Sequence, residues 1–124
     1  MKNERIFEIS NTLKDLGISP ALQGYTYLRE ALELVMDNSE LAYRGGITKI
    51  LYPTIAKKYK NTIGGIERSI RYAIEIAFDR TGSDLLEKMF GCSTDACKGK
   101  ATNSEFIATI ADYLLLRERE NEQR

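Results

Sequence analysis

The sequence predicts an all-α domain of six helices with a helix-turn-helix at its third and fourth. Three observations carry that prediction. Apolar residues recur at helical spacing along the chain, and no stretch alternates apolar and polar as a strand would. Caps and breakers divide the chain at short intervals. A connection of about three residues, "KNT" at 60–62, joins two helices inside a basic block. A length of 124 residues suits one domain with a real core, and 43% hydrophobic with 29% charged residues fits an ordinary folded protein. One domain over 1–124 is therefore expected.

The first helix carries Ile6, Phe7, Ile9, Leu13 and Leu16 and stops at Gly17 and Ser19-Pro20. The second runs from about Gly24 to Met36, with Tyr25, Leu28, Leu32 and Val35 on one stripe. "DNSE" at 37–40 ends it, and Gly45-Gly46 marks a turn. The third spans about Ile47 to Tyr59 with Ile50, Leu51, Ile55 and Ala56 inward. Pro53 removes a hydrogen bond there, so the preceding turn is expected to be loose. Thr62 is a natural N-cap for the fourth helix, whose stripe is Ile66, Ile70, Ala73, Ile74, Ala77 and Phe78. A short fifth helix covers about Ser83 to Met89, and 91–101 reads as a loop. "TNSE" at 102–105 is a capping box opening the last helix, which buries Phe106, Ile107, Ile110, Ala111 and Leu114. The charged end from about 117 reads as a frayed tail.

Net charge is zero, yet it is unevenly distributed. Residues 44–80 carry eight Lys/Arg against three Asp/Glu, a net of +5, while the flanking segments are net acidic. A basic middle third fits a surface that faces a polyanion. Cys92 and Cys97 stand alone without any His, so no metal site and no cofactor is expected. With no His and no catalytic constellation, the chain does not read as an enzyme. It has neither a membrane-length apolar run nor a signal peptide, and is expected to be cytoplasmic without membrane contact.

Removing the buried stripe of the fourth helix leaves Gly64, Gly65, Glu67, Arg68, Arg71, Tyr72 and Glu75 outward. The N-terminal half of such a helix enters the major groove of double-stranded DNA. Arg68 suits a bidentate contact to guanine, and Glu67 suits a cytosine amino group. Arg71 and Tyr72 fall nearer phosphate, as do Thr62 and Gly64 at the helix start. Lys57, Lys58 and Lys60 at the preceding helix end suit the DNA backbone. Glu67 with Arg71 as a simple i,i+4 pair is the plainer alternative. The Gly64-Gly65 pair is the anomaly, since each glycine costs about 1 kcal/mol of helix propensity relative to Ala.

Four segments in order, "GYTYLREA" (Gly24–Ala31), "ITKILYPTIAKKY" (Ile47–Tyr59), "IERSIRYAIEIAF" (Ile66–Phe78) and "TNSEFIATIADYL" (Thr102–Leu114), resemble the DNA-binding effector domains of the sporulation response regulator family, stage-zero sporulation protein A. The likeness covers about residues 10–118. It implies an all-helical effector domain that controls transcription by sequence-specific DNA binding, as a tandem homodimer on repeated boxes. By that likeness Glu67 and Arg68 match base-contacting positions, Arg71 a basic position near the backbone, and Lys57 and Lys58 the basic end of the third helix. Residues 80–90 match a surface that touches the RNA polymerase sigma subunit. Three departures stand out. Gly65 replaces a base-reading Arg, so the sequence preference is expected to be altered or relaxed. Tyr72 replaces a His. No receiver domain is expected before residue 10. An alternative from another class is a stand-alone interaction module, an antagonist or decoy of a full-length regulator or of sigma factor.

Overall fold

A computed structural model describes residues 2–80, 83–91 and 101–123. Residues 92–100 of the expected loop, with Cys92 and Cys97, lie outside them, as do residues 81–82 of the expected sigma-facing surface. Six α-helices lie among the described residues: α1 (Lys2–Asp15), α2 (Gln23–Asp37), α3 (Tyr52–Tyr59), α4 (Ile63–Arg80), α5 (Ser83–Phe90) and α6 (Asn103–Glu122). Between α2 and α3 run a 3-10 turn at Ser39–Ala42 and a π-helical turn at Ile47–Leu51. The all-α class expected from periodicity is what the chain adopts.

Helix α2 is the centre of the packing and touches α1, α3, α4 and α6. Its Tyr25, Tyr27, Leu28, Ala31, Leu32, Val35 and Met36 are buried, because they fall on one side of a 3.6-residue helix. Gly24 sets how closely α2 crosses α4. A β-carbon there would overlap the Ser69 carbonyl and stand 2.8 Å from the Ala73 β-carbon, so only glycine permits this approach. The α4 stripe expected from sequence (Ile66, Ile70, Ala73, Ile74, Ala77, Phe78) is buried throughout, and so is the α6 stripe. Phe78, Phe90 and Phe106 gather at one end of the core with ring centroids 5.8 to 6.3 Å apart, a spacing favourable to tilted aromatic pairs.

One expectation holds and two need correction. The turn before Pro53 is loose as expected: it is π-helical, and Pro53 sits in the first turn of α3 where its missing N–H is tolerated. The wider turn adds a residue to the local repeat, and Ile50, expected inward, is 53% exposed. In α1, Ile9, Leu13 and Leu16 are fully buried and Phe7 faces solvent. The end of the chain is no frayed tail, since α6 stays helical to Glu122. Arg5 holds it there, donating from Nε and Nη2 to the two Glu118 oxygens at 2.7 and 2.9 Å and from Nη1 to Asp37 at 2.6 Å. A fork of this kind suits carboxylate geometry, and it ties the start of α1 to the ends of α2 and α6.

Candidate nucleic-acid interface

The short connection between α3 and α4 is built from side chains as much as from backbone. Lys60 takes the left-handed conformation (φ 54°), and the Asn61 N–H donates to the Ala56 carbonyl at 3.0 Å, which closes α3. The Asn61 amide then works in both directions. Its Oδ1 accepts from the Thr62 N–H at 2.7 Å, and its Nδ2 donates to the buried Tyr27 hydroxyl on α2 at 3.2 Å. Thr62 caps α4 as expected, its hydroxyl accepting from the Gly65 N–H at 2.9 Å. Tyr27 in turn meets Tyr59 edge-on, with centroids 5.4 Å apart. The start of α4 is thereby fixed to α2 through Asn61 and Tyr27.

That cap explains half of the glycine pair. A β-carbon on Gly65 would lie 2.5 Å from Asn61 Oδ1 and 3.0 Å from Thr62 Oγ1, so the cap needs the position empty. Gly64 is different. The nearest neighbour of a β-carbon there is Arg68 Nη1 at 3.1 Å, the end of a flexible side chain. The Arg68 guanidinium therefore lies back along the helix over Gly64, one turn nearer the N-terminus.

Gly64, Arg68 and Tyr72 follow one another at four-residue spacing, and Arg68 and Tyr72 are exposed. Glu67 is exposed beside them. Arg71 turns away: its Nη1 donates to the Ala101 carbonyl at 2.7 Å and its Nε to Glu75 at 3.2 Å. The i,i+4 pair is thus Arg71 with Glu75, and the Glu67 carboxylate forms no ion pair among the described residues. The Glu67 backbone carbonyl accepts from Asn103 Nδ2 at 3.1 Å, and the same amide donates to the Tyr52 hydroxyl at 3.1 Å. Burial pushes the Tyr52 phenol up from its ordinary pKa, so it stays neutral as an acceptor. Arg71 and Asn103 together fasten α4 to the start of α6. There Thr102 Oγ1 accepts from the Glu105 N–H at 3.1 Å and donates to the Glu105 carboxylate at 3.1 Å, a variant of the expected capping box.

Of the three lysines at the end of α3, Lys57 and Lys60 are exposed and form no ion pair among the described residues. Lys58 donates to Glu30 Oε1 at 2.7 Å, and Tyr59 donates to that same oxygen at 2.8 Å. Burial would push the Glu30 carboxyl up, but the hydrogen bonds from Lys58 and Tyr59 outweigh it and hold it below the ordinary carboxylate value. Sequence reasoning missed Asn61, Tyr27, Glu30 and Asn103, which support the face rather than form it. Asn61 alone left a local signal, an Asx residue just before a helix cap. Among the described residues no group of His, Cys, Asp or Glu could hold a metal ion, and no helix is long and apolar enough to cross a membrane. The family model for the sporulation initiation factor Spo0A C terminal matches residues 9–114.

Proposed function

The chain belongs to the Spo0A C-terminal family of DNA-binding effector domains, regulators rather than enzymes, and on that premise we propose that it regulates transcription by reading DNA sequence through α4. The observation that supports this most is the division of α4. One side is buried from Ile66 to Phe78, and its first three turns present Glu67, Arg68 and Tyr72 to solvent soon after a basic helix end. In this reading α4 lies in the major groove. Arg68 takes a guanine edge, and Glu67, which forms no ion pair among the described residues, accepts from a cytosine amino group. Lys57, Lys60, Thr62, Gly64 and Tyr72 face phosphate. Lys58 and Arg71 are less available, because Glu30 and Ala101 already engage them.

Gly65 offers no side chain to a base, so the preference differs from that of relatives carrying Arg there. The likeness to the family also supports a tandem homodimer on repeated boxes and a sigma-subunit contact through residues 80–90, where Glu87 and Lys88 of α5 are exposed. A regulator of this kind works beside the chromosome, in the cytoplasm. Fluorescence anisotropy against a duplex carrying the family box and a scrambled duplex, each at two salt concentrations, tests the reading. It predicts affinity that falls steeply with salt and a preference for the box. No binding to either duplex at low salt would overturn it.

A further inference from the structure

Among the described residues, Lys58 is the one lysine at the end of α3 for which the fold supplies its own anion. Glu30 stands 28 positions earlier on α2, and its carboxylate is the fixed member of the pair, with 17% of its side chain exposed against 59% for Lys58. Tyr59 holds the carboxylate from the other side through the same oxygen. The ammonium is on the surface and can leave; the carboxylate cannot follow it. Arg29 and Glu33 are the other charges close enough to act on the pair, and they are of opposite sign.

We propose that Glu30 is an internal competitor for DNA phosphate at Lys58, and so sets how much this lysine adds to affinity for the nucleic-acid backbone. The inference rests on the DNA-binding reading above. A phosphate can recruit Lys58 only by exchanging one ion pair for another. That exchange leaves a carboxylate without its counter-charge near the polyanion, where it gathers cations that the lysine had released. The lysine's contribution to affinity, and to its salt dependence, is reduced accordingly. An exposed pair of this kind is weak in isolation, which makes the exchange reversible rather than forbidden. Glu30 remains charged at neutral pH, so the competition is always present. Lys57 and Lys60, which have no such partner among the described residues, contribute undiminished.

A double-mutant cycle with Glu30→Gln and Lys58→Gln separates this device from a general charge effect. Glutamine keeps an acceptor for the Tyr59 hydroxyl, so the α2–α3 contact survives, and thermal melting of each variant checks that the fold is retained. Affinity is read by anisotropy on one duplex over a range of salt. Glu30→Gln is expected to tighten binding about two- to five-fold and to steepen the log–log salt slope by up to about 0.9. In the Lys58→Gln background most of that gain disappears. An equal gain in both backgrounds overturns the proposal, because only long-range charge would then be acting. Wild-type protein that binds no duplex at any salt overturns the DNA-binding reading, and the competition falls with it.

Discussion

The side-chain oxygen of Asn61 stands 2.5 Å from where a β-carbon on Gly65 would be, while it accepts a hydrogen bond from the Thr62 N–H at 2.7 Å. A helix that opens on two glycines is thus capped by a polar arrangement with no room for a third side chain.

Substitution of the two glycines by alanine should therefore move stability in opposite directions. Gly65→Ala gains helix propensity but displaces the Asn61 amide, loosening the Thr62 N–H and Tyr27 contacts. A net loss of about 1–2 kcal/mol is expected. Gly64→Ala meets only the mobile end of Arg68 and should gain up to about 1 kcal/mol. Urea denaturation of the two variants measures both; stabilisation by Gly65→Ala would contradict the cap.

Lys60 carries a conformational penalty together with a useful charge. Its left-handed backbone is one that glycine adopts freely, so Lys60→Gly should stabilise the fold by about 1 kcal/mol. The same change removes an exposed cation from the proposed DNA face. Affinity should drop and the salt slope should become shallower by about 0.9. Paired denaturation and binding titrations would show the two effects with opposite sign.

Arg68 and Arg71 look alike in sequence and should behave differently when truncated. Arg68→Ala touches no buried group and should leave stability within about 0.5 kcal/mol. It should weaken binding to a preferred site by about 1–3 kcal/mol, and more than binding to scrambled DNA. Arg71→Ala breaks the charge-assisted bond to the Ala101 carbonyl, and a stability loss of about 1.5–3 kcal/mol is expected. Circular-dichroism melts alongside specific and non-specific titrations separate the two arginines.

The clamp at the end of the chain should be visible in acid. The hydrogen bond from Arg5 lowers the Glu118 carboxyl below its ordinary value, against the opposing effect of burial. A carboxyl with a lower pKa folded than unfolded stabilises the fold above its unfolded value, and the benefit is lost as pH falls through the folded one. Glu118→Gln should cost about 1 kcal/mol at neutral pH and much less in acid, once the pH has fallen through the lowered value of the folded wild-type carboxyl. Denaturation midpoints of both proteins across that range measure it. Equal costs at both ends would mean the clamp contributes no pH-dependent stability.

Much of the molecule was legible because it rests on periodicity. The stripes of α2, α4 and α6 follow a 3.6-residue repeat that tertiary packing only had to accept. Where the repeat changes, the reading slipped: Ile50 is exposed because a π turn inserts a residue ahead of Pro53. The end of α6 was misread because its support, Arg5, lies 113 positions away. Lys58 and Arg71 read as DNA-backbone contacts for the same reason, since Glu30 and Ala101, which engage them, are remote in sequence. The glycine pair read as a weakness of the helix, because the space taken by the Asn61 amide is not written in any local pattern.

Selection of bound duplexes from a random pool, run with the wild-type chain and with Arg68→Ala, is the most direct test that α4 reads sequence. Enrichment of a defined motif by the wild type, with a guanine whose enrichment vanishes in the variant, is the predicted result. A pool that stays unbiased after repeated rounds, although the protein binds it, would contradict sequence reading and leave only backbone attraction.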